Sequence, residues 1–165
     1  MDELPRRKNI RIKEYDYSQN GAYFITICTQ NREQIFGDIV GATLCGRPNN
    51  PDKMVERWII EIENKYINAK INKYVVMPNH IHMIILLSGD HVGSPLPQII
   101  GWFKTMTTNE YIRGVKSSIY PPFKKRIWQR NYYEHIIRND TEYESTCQYI
   151  DKNPTKWVED CYYEI

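Results

Sequence analysis

Apolar and polar positions along this chain follow two different periods, and the switches between them divide it into strands and helices. Residues 22–30 (AYFITICTQ) are rich in β-branched and aromatic side chains and read as a strand. Residues 35–40 follow a short polar turn, so these two segments are expected to pair as a hairpin. Residues 41–52 carry glycine, proline and Asn49-Asn50 and read as a loop. From 53 to 68, Met54, Trp58, Ile62 and Tyr66 recur at four-residue steps, the mark of an amphipathic helix. Residues 74–77 and 81–87 are strands joined at Pro78-Asn79. A loop over 89–97 leads to a second helix over 96–112, with Ile99, Phe103 and Met106 on one side. Residues 114–125, with Pro121-Pro122, read as irregular, and 132–138 as a further strand. Asn139-Asp140 is a suitable cap for a last helix over 141–152, which Pro154 ends.

The order strand, strand, helix, strand, strand, helix, strand, helix suits an α+β fold. The expected form is a ferredoxin-like (RRM-like) antiparallel-centred sheet with helices packed on it. With 165 residues and 41% hydrophobic content, the chain is expected to form one domain over 1–165.

Composition narrows the setting. Mean hydropathy is −0.62 and the longest apolar run, 83–87, is too short to span a bilayer. The start, MDELPRRKNIRIK, has no apolar stretch after its basic residues, so no secretory signal and no membrane partner are expected. Four cysteines (Cys28, Cys45, Cys147, Cys161) lie far apart without a CxxC pair. They read as reduced structural thiols, and the setting as cytoplasmic.

A net charge of +2 gives a weak overall field, so partners are sought in local patches. Arg6, Arg7, Lys8, Arg11 and Lys13 crowd the N-terminus, and Lys124, Lys125, Arg126 and Arg130 surround Trp128. Cations neutralise phosphates and rings stack on unpaired bases, so such patches suit nucleic acid; a plain solvated charged face is the other reading.

The densest chemistry lies in VVMPNHIHMIILL. Side chains two apart in a strand share a face, so His80 and His82 project together while Ile81 turns away. Two imidazoles so placed can hold one divalent ion, or can merely sit on a polar strand face. Tyr149 and Asn153 are one turn apart on the last helix. A phenol able to attack phosphorus beside an amide oxygen able to bind the same metal makes a coherent site. Hard oxygen plus imidazole suits Mg²⁺ or Mn²⁺. With thirteen tyrosines, an ordinary helix aromatic is the default for any one of them.

The succession of HIH after a strand, then WQRNYYEHIIRND, then YIDKNPTKW resembles the REP-associated tyrosine transposases, a branch of the HUH single-tyrosine transposases. YFITICTQNREQIFGDI and IIGWFKTMTTNEYI are similar to that family too, so the likeness spans roughly residues 20–158. It implies a ferredoxin-like fold and a divalent metal on His80 and His82. It also implies that Tyr149 of YIxxNP attacks single-stranded DNA, leaving a 5′-phosphotyrosine link and a free 3′-hydroxyl. Asn153 stands where related enzymes place a third polar ligand, often glutamine. Trp128, Gln129 and Arg130 would shape the DNA groove, joined as DNA-binding candidates by Arg6, Arg7, Lys8, Lys104, Lys124, Lys125 and Arg126. Glu134 and His135 would support the site from behind, although His135 on its own residues reads as an ordinary satisfied strand histidine. His91 reads as solvent-exposed.

The expected partner is single-stranded or hairpin DNA, and the expected state a monomer, with a homodimer as the alternative. Two rival readings differ in chemistry. One is a non-catalytic nucleic-acid-binding module of the same fold. The other is a metallohydrolase that activates water on the histidines. Only the transposase would form a protein–DNA adduct.

Overall fold

The computed structural model describes residues 20–40, 43–45, 51–89 and 95–162. Four strands, β1 (Gly21–Cys28), β4 (Ala69–Met77), β5 (His80–Leu87) and β6 (Tyr133–Ile137), form an antiparallel sheet in the order β4-β5-β1-β6. Helix α1 (Pro51–Lys65) crosses from β1 to β4, and α2 (Pro95–Lys116) crosses from β5 to β6. Each crossover skips one strand, which gives the split βαβ arrangement expected of a ferredoxin-like fold. Helix α3 (Asp140–Lys152) follows β6, and a short 3-10 segment runs on over Pro154–Glu159.

Both faces of the sheet are covered. Tyr23, Ile25 and Ile27 of β1 join Ile81, Met83 and Ile85 of β5 on one face, all fully buried against α1 and α2. On α2 the core stripe is Leu96, Ile99, Ile100, Phe103, Thr107, Tyr111 and Gly114, a run of three- and four-residue steps. Burying an isoleucine of this kind contributes roughly 1.5–3 kcal/mol, so this face holds the domain together. The opposite face carries a smaller cluster in which Ile84, Ile137 and Ile150 pack with Phe24, Val75 and Tyr143 beneath α3. Asn139 caps α3 by accepting a hydrogen bond from the Glu142 backbone N–H at 2.9 Å, as its sequence suggested.

Two expectations need correction. Residues 22–30 do not pair with 35–40: β1 pairs with β5 and β6, and β2 (Asp38–Val40) forms its own ribbon with β3 (Thr43–Cys45). With apolar side chains on both faces, β1 satisfies both only at the centre of a covered sheet. The segment 41–52 is also not all loop, since it contains β3 and the first residues of α1. Among the described residues no helix is long and apolar enough to cross a membrane. His91 and the N-terminal cluster of Arg6, Arg7 and Lys8 lie outside the described residues.

Candidate metal and tyrosine site

A two-residue turn, Pro78-Asn79, closes the β4–β5 hairpin and starts β5 on His80. His80 and His82 therefore share the sheet face that α3 covers, and both are buried. Their Nε2 atoms converge to 3.0 Å. Burial pushes the His80 pKa down to about 2, helped by neighbouring His82 and Arg32, and the His82 pKa down to about 3. Both rings are neutral at physiological pH, the form that binds metal.

Hydrogen bonds fix which nitrogen of His80 is free. The Asn79 Nδ2 group donates to the backbone oxygens of Arg32 (3.2 Å) and Tyr162 (2.7 Å), which orients the amide. Its Oδ1 therefore faces His80 Nδ1 at 2.8 Å and can only accept, so Nδ1 carries the proton. The Nε2 lone pair of His80 is left pointing into the site. His82 Nδ1 lies 2.7 Å from Thr26 Oγ1, a buried hydroxyl on the neighbouring strand β1. A hydroxyl can accept as well as donate, so it can hold His82 with its Nε2 lone pair exposed to an ion.

Tyr149 approaches from α3. Its hydroxyl lies 3.4 Å from His82 Nε2, and its ring packs edge-on against Phe24 and His82. At 42% exposure the side chain still faces solvent, so a strand of DNA can reach it. Burial raises the phenol pKa to about 12, with Asp160, Cys161 and Tyr162 adding to the rise and a hydrogen bond from Asn153 opposing it. Asn153 caps α3, is buried, and its Oδ1 has no hydrogen-bond partner among the described residues. An amide oxygen orphaned at this depth has the chemistry of a cation ligand.

The sequence reading did not find Asp160. The 3-10 segment after Pro154 folds the chain back, so that Asp160 Oδ2 lies 3.8 Å from His80 Nε2. One ligand atom from each of His80, His82 and Asp160 lies within 4.8 Å of the others, close enough to surround one ion. Asp160 Oδ1 accepts from the Tyr162 backbone N–H, while the inward Oδ2 has no hydrogen-bond partner among the described residues. Tyr162 stacks on His80 at 4.6 Å between ring centres, and the Arg32 guanidinium lies over the Tyr162 ring. No spacing rule links residues 26, 79, 80 and 160, so these partners could be seen only in three dimensions.

The basic candidates have divided roles. Lys124, Lys125, Arg126 and Arg130 are exposed and Gln129 is half-buried. The segment joins β1 through a bridge between Thr29 and Trp128, just past the point where Cys28 pairs with His80. The Trp128 indole is not a stacking platform. It is buried between Phe36 and Phe103 and donates to the Thr107 hydroxyl at 2.8 Å. Lys104 is likewise not free for phosphate: its ammonium donates to the backbone oxygens of Gln129, Arg130 and Asn131. Burial lowers its pKa to about 8, and its role is to hold this loop in shape.

His135 lies 2.5 Å from Glu142 of α3 and takes no part in the metal cluster, as expected of a satisfied strand histidine. Glu134 pairs with Ile25, on the sheet face turned away from the histidines, and so does not support them.

Comparisons with known proteins place the chain in a family. The family described as "Transposase IS200 like" matches residues 17–153. An uncharacterised protein of Haemophilus influenzae is 34% identical over 172 residues, covering 97% of this chain and 94% of that one. The REP-associated tyrosine transposase of Escherichia coli is 28% identical over 146 residues, covering 86% of this chain and 72% of that one. A solved REP-associated tyrosine transposase bound to a REP hairpin superposes with a TM-score of 0.56 at 25% identity, covering 89% of this chain and 73% of that one. With the family match spanning most of the sheet, α3 and both histidines, this chain belongs to the IS200-like transposases, a family that acts in DNA transposition, and it resembles their REP-associated tyrosine branch in both sequence and structure.

Proposed function

We propose that the chain nicks and rejoins single-stranded DNA through a covalent bond to Tyr149, with a divalent metal on His80 and His82. The observation that carries this reading is the convergence of a solvent-facing phenol and two neutral, lone-pair-bearing imidazoles at one point. His80 and His82 would hold Mg²⁺ or Mn²⁺, with the Asp160 carboxylate beside them as an oxygen donor and the buried, unpartnered Asn153 Oδ1 as a further candidate. When bound, the metal supplies Lewis acidity to a phosphate oxygen and a positive field beside the phenol.

The residues of the chain do the rest. Tyr149 is protonated at neutral pH, as any phenol titrating near 10 is, and burial and the Asp160 carboxylate disfavour the phenolate further. Asn153 opposes that by its hydrogen bond, and so favours the form that attacks. In the step itself the Tyr149 oxygen bonds to phosphorus as the bond to the 3′ oxygen breaks. The phenol proton passes to solvent, and the departing 3′ oxygen takes up a proton from solvent to become a 3′-hydroxyl. One phosphodiester bond replaces another, so rejoining needs no external energy source.

Hairpin DNA is the favoured substrate, because the solved relative was captured on a REP hairpin. Exposed Lys124, Lys125, Arg126 and Arg130 at the end of β1 offer phosphate contacts close to the histidines. A non-catalytic module would need none of this convergence. The test is a denaturing gel with Mn²⁺ and oligonucleotides labelled at either end. The reading requires a slow-migrating adduct that keeps the 3′ label and loses the 5′ label. Release of both fragments without an adduct would favour the hydrolase instead.

A further inference from the structure

A groove runs from the tyrosine along α3. It encloses about 540 Å³ between α3 and the segment after Pro154, and Tyr149 stands in its wall. Ser145, Gln148, Tyr149 and Lys152 line it from one face of α3, and Lys156 and Asp160 close the other side. The volume lies within the range of small-molecule sites, roughly 300–1,000 Å³, and so accommodates a nucleotide. Its chemistry is mixed in a way that suits one: the Lys152 and Lys156 ammonium groups stand with the Glu159 and Asp160 carboxylates, the Ser145 and Tyr149 hydroxyls and the Gln148 and Asn153 carboxamides around an open trough. Lys152 and Lys156 are both exposed, and Lys156 lies 3.8 Å from Glu159, a pair open enough to water for a phosphate to replace the carboxylate.

We propose that this groove seats the nucleotide on the 3′ side of the cleaved phosphate, the one that stays joined to the enzyme, with its next phosphate between Lys152 and Lys156. The assignment rests on the tyrosine chemistry proposed above and follows from the geometry of displacement at phosphorus. Attacking and departing oxygens lie in line on opposite sides of the phosphorus. The sugar whose 3′ oxygen departs is therefore beyond the phosphorus as seen from Tyr149. The sugar attached through its 5′ oxygen branches sideways and remains close to the nucleophile. The groove lies along the helix that carries the nucleophile, so it receives the second sugar. Holding that nucleotide keeps the phosphotyrosine ester beside the metal ligands until a 3′-hydroxyl returns.

The probe is a mixed-sequence deoxytrinucleotide with a 5′-phosphate, compared by NMR titration in Mg²⁺ with the same trinucleotide carrying a 3′-phosphate. The two have equal charge and composition, so general electrostatic attraction treats them alike. The 5′-phosphorylated form should bind more tightly and shift the amides of Ser145, Gln148 and Lys152. The Lys152→Ala/Lys156→Ala double variant should weaken it about tenfold, the size of a lost charge-assisted contact or two. Both positions are exposed, and the variant's own spectrum reports its folding. Equal binding of the two probes, preference for the 3′-phosphate, absence of binding to either, or an unaffected double variant would overturn the assignment. The adduct gel is read separately: adduct with no probe preference removes the groove alone, and probe preference with no adduct removes the tyrosine chemistry.

Discussion

Thr26→Val removes one oxygen from the site and almost nothing else. Thr26 is 2% exposed and its hydroxyl lies 2.7 Å from His82 Nδ1, while valine keeps the β-branched shape that a central strand favours. Two opposing effects set the stability change. Leaving Nδ1 buried without a partner costs about 1–3 kcal/mol, and exchanging a hydroxyl for a methyl group in an apolar setting returns up to about 0.8 kcal/mol. The net expectation is a loss of roughly 1–2 kcal/mol, which for a domain of this size lowers Tm by a few degrees, about 2–4 °C per kcal/mol. The functional effect should be larger. Losing the group that orients a metal-binding histidine typically costs about 10–100-fold in metal affinity. Urea denaturation and calorimetric titration with Mn²⁺ measure the two effects, with Thr26→Ser as a control that keeps the hydroxyl. Affinity falling in Thr26→Val and largely retained in Thr26→Ser is the expected pattern. Unchanged Mn²⁺ affinity in Thr26→Val, or an equal loss in both variants, would refute the role given to the hydroxyl.

Other consequences can be checked as directly. Asp160→Asn keeps the shape of a carboxylate that points at the histidines but removes its charge, so Mn²⁺ affinity should fall by about an order of magnitude in calorimetry. Acid should destabilise the metal-free protein. Folding depresses both histidine pKa values, to about 2 and about 3, so the unfolded chain takes up more protons once pH drops below the ordinary value near 6.5. The stability these rings contribute is whole above that pH and falls progressively toward the folded values. By pH 5 each ring should cost about 2 kcal/mol, at 1.36 kcal/mol per pH unit. Urea midpoints between pH 7.5 and 5 test this, and a His80→Ala/His82→Ala variant should lose the corresponding slope. Gly114→Ala should be strongly destabilising for a helical glycine, because the added carbon would sit 2.1 Å from the Tyr120 ring. Thermal melts should show a loss of several degrees.

How far the sequence foretold this site varies by residue, for physical reasons. His80 and His82 were legible because strand periodicity alone puts them on one face, and Tyr149 with Asn153 because helical periodicity does the same. α1 and α2 were legible from their apolar stripes. The pairing of β1 was not, since the eye favours the nearest strand in the chain. Yet Phe24 and Ala22 on one face and Tyr23, Ile25 and Ile27 on the other already mark a strand buried on both sides. β4 was read as starting at 74 rather than at Ala69, because Lys70, Asn72 and Lys73 interrupt its apolar character. The burial of Trp128 was not legible, because adjacent basic residues say nothing about which way an indole turns. Thr26, Asn79 and Asp160 reach the histidines by tertiary folding, which no local pattern encodes.

The central claim is that Tyr149, of thirteen tyrosines, carries the DNA. Tyr133 also lies on the site face of the sheet, opposite Thr26, and Tyr143 lies on the same helix. Trypsin separates the candidates into two peptides, residues 131–138 and residues 139–152. The deciding measurement is tandem mass spectrometry of the adduct trapped with Mn²⁺, after nuclease trimming and tryptic digestion. A nucleotide phosphate on peptide 139–152, localised by fragmentation to Tyr149 and absent in Tyr149→Phe, is the predicted result. The same modification on Tyr143, or on peptide 131–138, would contradict the account.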